Sequence, residues 1–277
     1  MSKIAIITDS TCGLPREVIE REELIVIPCL VQAEGQVYKE GVDLTAEELF
    51  DRIYTSSTIA TTSLPAGEDY TAAFEEVKRR GADQVIGIFV GSNLSGTFNG
   101  ARLASQDHAL QVELIDSGTT AMALGILVLE AVRIVKAGDP EEAAAQLRET
   151  AERTELYALL DTLEYIRRGG RIGRVGELIA NVLNIKPVLR VARNSLDVVA
   201  GAQSQKGAEL AHGHSTRGAA DPRRRRDAHP HPRRSRRAGA VLVAAGRRTT
   251  RTDDRAGHRG GGGSCGSVGD WDGHHKE

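Results

Sequence analysis

The chain has 277 residues, which is enough to bury a sizeable core and to form two domains. Its net charge is −2, and its three cysteines are too few and too scattered for a disulfide framework or a zinc site. No apolar run approaches the length of a membrane span, and no export signal of basic and then apolar residues stands at the N-terminus. We therefore expect a cytoplasmic protein.

The first half of the chain alternates short apolar runs with amphipathic segments, which predicts buried parallel strands joined by helices. Helix starts are marked by a capping box at residues 45–48 and by Pro140, and Gly81 and Gly138 mark helix ends. In chain order we predict a strand at 4–7, a helix that opens at 14–15, a strand at 24–27, helices at 46–54 and 68–80, a strand at 84–90, a helix from 97 to about 104, a strand at 111–115, and helices at 120–136 and 140–153, with a polar connection at 56–66.

The rhythm changes after residue 153, where we place a domain boundary. Predicted elements beyond it are a strand at 156–160, a short helix at 162–166, a turn at 168–173, a helix at 177–183 and a strand at 186–191. The fold class is α/β: an N-terminal parallel-sheet domain (1–153) with helices on both faces, followed by the start of a second α/β domain (154–205).

The near-neutral total charge hides two unlike parts. From residue 201 onward, 14 Arg and 2 Lys oppose 6 Asp and 2 Glu, so this part carries +8 and the rest carries −10. The part from residue 201 onward has no Ile, Phe, Tyr or Met, and it holds seven of the eight histidines. Such a composition cannot bury enough apolar surface to offset the entropy of ordering the chain. We predict that residues 206–277 are a basic, low-complexity tail that is disordered or out of frame.

Three explanations compete for this tail. A basic arm would bind nucleic acid through phosphates without sequence specificity, because its single Trp offers little base stacking. The pairs His229/His231 and His274/His275 suggest metal binding but lack a fixed ligand geometry. The abrupt change to Arg, Gly, Ala, His and Pro is typical of a wrong reading frame through GC-rich DNA, which is the hypothesis we favour. Sequencing the coding DNA around residues 209–218 tests it.

Hydroxyl and carboxylate residues follow four of the apolar runs, at residues 8–11, 61–63, 92–95 and 116–117. The carboxyl ends of parallel strands meet at one edge of an open α/β sheet, which is where such folds bind ligands. These loops offer many small hydrogen-bond donors, but the first two hundred residues hold one histidine, His108. The pattern therefore favours the binding of an anion over bond cleavage.

Each candidate residue also has a structural explanation. The 92–97 loop presents hydroxyls and the free N–H groups of a helix start to an anion, although Ser95 taken alone is more simply a helix cap. The 61–63 segment reads as a polar turn and Asp9 as a capping residue. Arg171 lies in a basic turn that is able to clamp an anion or simply to face solvent. A serine hydrolase is weakly supported because His108 is isolated.

Six motifs occur in a specific order along residues 1 to about 195. They are Thr8-Asp-Ser-Thr-Cys-Gly-Leu-Pro15, Thr62-Ser-Leu-Pro65, Ser92-Asn-Leu-Ser-Gly-Thr-Phe98, Ile115-Asp-Ser117, Gly169-Gly-Arg-Ile172 and Leu183-Asn-Ile-Lys-Pro187. In this order they resemble the landmarks of the bacterial DegV family.

The resemblance implies a two-domain protein that binds a long-chain fatty acid between its domains and performs no catalysis itself. The hydroxyls of Thr62 and Ser95 would hold the carboxylate, and an apolar tunnel would hold the acyl chain. Ser63, Ser92 and Arg171 complete the set of candidate ligand-binding residues. Some members present the bound acid to a separate fatty acid kinase. No cofactor and no metal are expected.

The chain departs from the family pattern near its end. No basic residue stands in the stretch at 202–205, and the family's closing Gly-Thr-His-Thr-Gly-Pro-Gly motif is missing. The resemblance then implies an unfinished second domain with exposed sheet edges. A different class of function stays open beside fatty acid binding: an enzyme that acts on a small phosphorylated or carboxylated metabolite at the 92–97 loop.

Overall fold

A computed structural model describes residues 3–56, 59–138, 140–160, 163–170, 186–193, 195–202 and 241–245. The strands are β1 (Ile4–Asp9), β2 (Ile25–Ile27), β3 (Leu30–Ala33), β4 (Gln36–Lys39), β5 (Thr61–Ser63), β6 (Gln84–Phe89), β7 (Gln111–Asp116), β8 (Thr154–Leu159), β9 (Lys186–Ala192), β10 (Ser195–Ala202) and β11 (Val241–Ala245). The α-helices are α1 (Arg16–Arg21), α2 (Ala46–Ser56), α3 (Gly67–Arg79), α4 (Thr97–Ala104), α5 (Ala121–Ala137), α6 (Pro140–Arg153) and α7 (Glu164–Arg168).

The predicted parallel sheet is present, with strand order β2-β1-β6-β7 and parallel pairing throughout. Ile4 pairs with Gln84 and Ile88 with Ile115, so β1, β6 and β7 lie side by side along their lengths and end at the same edge of the sheet. This sheet and its helices confirm the predicted α/β class. The predicted helices at 120–136 and 140–153 are confirmed to within one residue at each end.

One face of the sheet packs against the last two helices of the N-terminal half. Ile6 and Ile88 point to this face and meet Leu124 of α5 and Leu147 of α6, all buried. A β-carbon at Gly125 would lie 2.6 Å from the carbonyl oxygen of Cys12. Because glycine has no β-carbon, α5 lies directly against the turn that follows β1 and fixes that turn at the carboxyl edge of the sheet.

The other face packs against α3 and α4. Ile7 and Phe89 point to it and meet Phe74 and Val77 of α3, and all four side chains are less than 2% exposed. Neighbouring residues such as Ile6 and Ile7 therefore face opposite cores, as the two-residue period of a strand requires. Both faces are covered, which explains why the strands are continuous apolar runs.

A second, antiparallel sheet has the order β10-β9-β8-β11. Its strand β8 begins at Thr154, directly after α6 ends at Arg153. β11 lies within the predicted tail and is its most apolar run. The domain division at residue 153 and the interpretation of residues 206–277 stay predictions.

A third sheet, of order β4-β3-β5, differs from the sequence-based expectation of turns and a polar connection. Its strands have three or four residues, and β4 and β5 carry exposed or half-exposed side chains, so they lack an apolar run. Pairing with β3, whose Val31 and Ala33 are buried, makes β5 a strand. Local sequence carries little of that information.

Beyond residue 153 the described residues test part of the prediction. The short helix lies at Glu164–Arg168, two residues later than expected. The predicted helix at 177–183 and half of the turn predicted at 168–173 fall on residues 171–185, outside the described residues. The histidine pairs of the tail lie outside them as well. Within the described ranges, no helix combines the length and apolarity needed to cross a bilayer, and no cluster of His, Cys, Asp and Glu has a metal-binding arrangement.

Candidate functional site

Asp9 connects two strand ends at the carboxyl edge of the parallel sheet. Its carboxylate accepts hydrogen bonds from the backbone N–H of Val90, at 2.7 Å, and from the backbone N–H of Thr11, at 3.0 Å. The Thr11 hydroxyl donates to the same oxygen as its own N–H, at 2.5 Å. The predicted capping role of Asp9 is confirmed, because it is the N-cap of the turn Ser10–Cys12.

The Asp9 side chain is fully buried, and this burial raises the pKa of its carboxyl group above the usual value. The hydrogen bonds from Thr11 and Val90 oppose the shift, and the negative charge of Glu40 adds to it. Both carboxylate oxygens already have donors within the protein. Asp9 therefore organises the loops of the crevice and is not positioned as an exposed acid or base.

Ser92 uses its hydroxyl within the protein. The hydroxyl donates to Asp116 Oδ2 at 2.5 Å, and the Ser92 N–H donates to Asp116 Oδ1 at 3.0 Å. The N–H of Gly118 donates to the same Oδ1. These bonds join the loop after β6 to the end of β7, so Ser92 meets an anion only if its bond to Asp116 is exchanged.

Ser95 lies half-buried at the start of α4. Its hydroxyl oxygen is 2.8 Å from the hydroxyl oxygen of Thr97 and accepts a longer hydrogen bond, 3.3 Å, from the Thr97 N–H. The N-cap position itself is occupied by Gly96, which has no side chain to form a cap bond. Ser95 thus contributes to the helix start while keeping its hydroxyl close to the N-terminal end of α4, where the helix dipole favours a negative charge.

Thr62 and Ser63 lie on β5 and are exposed. In the register of the sheet, Thr62 stands opposite Val31 and Ser63 opposite Leu30. Successive residues of a strand point to opposite faces, so the two hydroxyls face different sides and a ligand on one face meets one of them.

The Thr62 segment and the Ser95 loop meet at one contact. A β-carbon at Gly96 would lie 3.5 Å from Leu64 Cδ2, which is ordinary van der Waals contact. Leu64 is two residues after Thr62, and Gly96 is the residue after Ser95. Two of the polar segments that the sequence predicted at one edge are therefore neighbours, although they are separated by about 30 residues in the chain.

An apolar cluster lies beside the Ser95 loop. Leu94 packs against a group formed by Ala123 of α5 together with Leu156 and Val191 of the second sheet, and Leu196 lies at its margin. We call Leu94 and these four residues the junction cluster. Because Leu94 directly precedes Ser95 in the chain, the cluster brings apolar side chains next to the loop that carries the Ser95 hydroxyl.

Besides the junction cluster, the loop after β7 also joins the parallel sheet to the antiparallel sheet of β8 to β11. A β-carbon at Gly118 would lie 2.9 Å from Arg193 Cα, in the turn between β9 and β10. Gly118 also has a φ of +63°, a left-handed backbone conformation that favours glycine. The backbones of the loop and of the turn therefore touch where a side chain would separate them.

The other sequence candidates lie elsewhere or outside the described residues. Arg171 is outside the described residues. His108 packs on Phe74 with ring centroids 5.0 Å apart, and its Nδ1 is 3.5 Å from Glu75 Oε1 on α3. Cys12 and Cys29 are free and buried, and burial raises the pKa of the Cys12 thiol to about 11 and that of Cys29 to about 12, so neither is a thiolate at neutral pH.

Sequence reasoning missed Leu94 and Thr97. Leu94 is the one apolar residue between Ser92 and Thr97, and that interruption of a polar run was a usable signal. Thr97 is fully buried, with the Tyr70 hydroxyl donating to its carbonyl oxygen at 3.1 Å. Its burial depends on α3, so its own neighbours in sequence gave no sign of it.

Comparisons with known proteins agree on one family. A family model described as "Uncharacterised protein, DegV family" matches residues 3–211. A DegV domain-containing protein of Deinococcus radiodurans is 35% identical over 207 residues, which cover 73% of this chain and 72% of that protein.

Two solved structures are similar in fold. One is described as showing fatty acid binding of a DegV family protein from Thermus thermophilus, with a TM-score of 0.71, 29% identity, and coverage of 78% of this chain and 77% of that chain. The other is DegV of Bacillus subtilis, described as a fatty acid binding protein, with a TM-score of 0.70, 28% identity, and coverage of 79% and 80%.

Proposed function

This chain belongs to the DegV family, and from that premise we propose that it binds a long-chain fatty acid. In this proposal the hydroxyls of Thr62 and Ser95 hold the carboxylate, and an apolar tunnel that begins at the junction cluster holds the acyl chain. The fatty acid binding described for the relatives from Thermus thermophilus and Bacillus subtilis supports this choice of ligand.

One observation carries the proposal: Ser95 and Leu94 are adjacent, and they present a hydrogen-bonding group and an apolar group side by side. A fatty acid has the same arrangement, a carboxylate followed at once by methylene groups. Hydroxyl and backbone donors hold a carboxylate without a buried cation. Each methylene that leaves water contributes about 0.8 kcal/mol, so the acyl chain supplies most of the affinity.

The remaining candidates have secondary roles in the proposal. Ser63 points to the opposite face of β5, so it would meet the ligand only where the ligand passes around that edge strand. Ser92 would contribute after exchanging its bond to Asp116. Arg171 would supply a positive charge near the head group. We expect Thr62 and Ser95 to matter most, because the segments that carry them meet at the contact between Leu64 and Gly96.

The arrangement favours binding over catalysis. The partner of the Ser95 hydroxyl is Thr97, and a hydroxyl does not activate a nucleophile as a histidine base does. A panel of metabolites in a thermal-shift assay separates the enzyme alternative from the proposal. Stabilisation by a small phosphorylated or carboxylated compound, with none by fatty acids, would favour the enzyme.

Replacing Ser95 with alanine should reduce the amount of fatty acid that co-purifies with the protein. Loss of a hydrogen bond to a charged group costs about 1.5 to 3 kcal/mol, which corresponds to roughly a tenfold to hundredfold weaker affinity. Thr62→Ala should act in the same direction. The measurement is mass spectrometry of organic extracts from equal amounts of folded protein.

Thr71→Ala is the matched control, because Thr71 is an exposed threonine of α3 whose hydroxyl bonds only within its own helix. It should leave the extracted lipid unchanged. A folded wild-type protein that carries no long-chain acid, and that binds none when it is added, would refute the proposed function.

We also propose that the protein presents its bound acid to a separate kinase in the cytoplasm. The exposure of Thr62 supports the first part, because it leaves the head-group end reachable from solvent. The free thiols Cys12 and Cys29 suit a reducing compartment and support the second. Cell fractionation tests the location, and ATP-dependent formation of an acyl phosphate from the loaded protein and a cell extract tests the transfer.

A further inference from the structure

The Ser95 hydroxyl has one proton to donate, and its direction decides whether Ser95 is able to bind a carboxylate. A serine hydroxyl donates one hydrogen bond and accepts two. One acceptor position is taken by the Thr97 N–H, at 3.3 Å. The bond of 2.8 Å between the Ser95 and Thr97 hydroxyls runs in either direction. If Ser95 were the donor, it would have no proton left for a carboxylate, which only accepts.

The surroundings of Thr97 favour the other direction. Thr97 is fully buried, so its hydroxyl must find its partners within the protein. The hydrogen bond that the structure gives to this hydroxyl is the one with Ser95. A Thr97 proton that pointed away from Ser95 would stay buried and lose this oxygen acceptor, whereas Ser95 is half-buried and able to direct its own proton outward. Thr97 is therefore the donor of the pair.

We propose that Thr97 is a positioning residue that turns the Ser95 proton toward the carboxylate of the bound acid. When Thr97 donates, both acceptor positions of Ser95 are filled and its proton has to point away from α4. A donor oriented before the ligand arrives needs no reorganisation on binding. This inference rests on the proposed function.

The test compares an acid with an alcohol of the same chain. Oleic acid and oleyl alcohol compete with a fluorescent fatty acid for the purified, delipidated full-length protein. Thr97→Val should weaken oleic acid binding about threefold to tenfold, because the Ser95 proton is then free to rotate. Oleyl alcohol both donates and accepts, so its binding should change less than about twofold. Thr97→Ser, which keeps the hydroxyl, should restore oleic acid binding.

A double substitution separates positioning from a merely structural role. In a Ser95→Ala background, Thr97→Val should cause no further loss, since Thr97 acts through Ser95. Equal losses for acid and alcohol, or a loss that persists in that background, would overturn the inference while leaving fatty acid binding intact. If the wild-type protein binds neither compound, the proposed function itself fails.

Thr97→Ala provides a second route if Thr97→Val does not fold, because it removes the same hydroxyl with a smaller side chain. It should weaken oleic acid binding about threefold to tenfold and change oleyl alcohol binding less than about twofold. This effect should also vanish in the Ser95→Ala background. Unchanged binding of oleic acid by a folded Thr97→Ala protein would overturn the inference.

Discussion

Phe74→Ala should lower the free energy of unfolding by about 3 to 5 kcal/mol, the range typical of a buried phenylalanine replaced by alanine. Phe74 is 0% exposed and packs between Ile7, Val77 and Phe89 in the core under α3. Its ring also stacks on His108, so the substitution removes apolar burial and an aromatic contact and leaves a cavity. Urea-induced unfolding followed by circular dichroism measures the change.

Phe50→Ala is the matched control for that substitution. Phe50 lies on α2 and is 46% exposed, so its removal takes away little buried surface. We expect a change of less than about 1 kcal/mol. Equal losses for Phe74→Ala and Phe50→Ala would contradict the assignment of Phe74 to the core.

Asp9→Ala should lower the free energy of unfolding by about 2 to 4 kcal/mol, although Asp9 belongs to no core cluster. The substitution leaves the buried N–H of Val90 without its partner, and an unsatisfied buried donor costs about 1 to 3 kcal/mol. It also removes the N-cap bond to the Thr11 N–H, which is worth about 1 kcal/mol. Urea unfolding measures the loss, and Asp51→Ala on the exposed face of α2 should change stability by less than about 0.5 kcal/mol.

Asp9 also predicts a pH dependence with a definite sign. Burial raises the pKa of the folded carboxyl group, so between the unfolded and the folded pKa the folded state holds more protons than the unfolded state. The stability contributed by this group should therefore fall as pH rises through that window and stay constant above it. Asp9→Asn cannot titrate, so the difference in unfolding free energy between wild type and Asp9→Asn should follow this curve. A difference that rises with pH would contradict it.

The predictable part of the fold consists of elements whose local pattern is strong. The parallel strands are apolar runs, and the helices α2, α5 and α6 are marked by Thr45, Gly138 and Pro140, respectively. The structure has these elements where the sequence predicts them. The hairpin of β3 and β4 and the strand β5 are short and partly polar. β5 forms because it pairs with β3, about 30 residues earlier in the chain, and local propensity does not encode that partner.

The candidate site divides in the same way. Hydroxyl residues after strands mark the carboxyl edge, and the sequence shows them directly. The contact between Leu64 and Gly96 and the bond from Val90 to Asp9 depend on how the strands are arranged in space. Asp9 and Val90 are 81 positions apart, so the sequence predicted Asp9 as a local cap and not as a link between strands.

The adjacency of Leu94 and Ser95 has a consequence for which acids suit such a crevice. Consecutive α-carbons are about 3.8 Å apart. The hydrogen-bonding group of Ser95 is therefore followed by the apolar side chain of Leu94 within a distance of two or three carbon–carbon bonds. In the proposed complex, an acid bearing a hydroxyl on its third carbon would place that group beside the apolar side chain of Leu94, where burying a polar group is costly. One dipeptide would then contribute both to the recognition of the head group and to the rejection of oxidised chains.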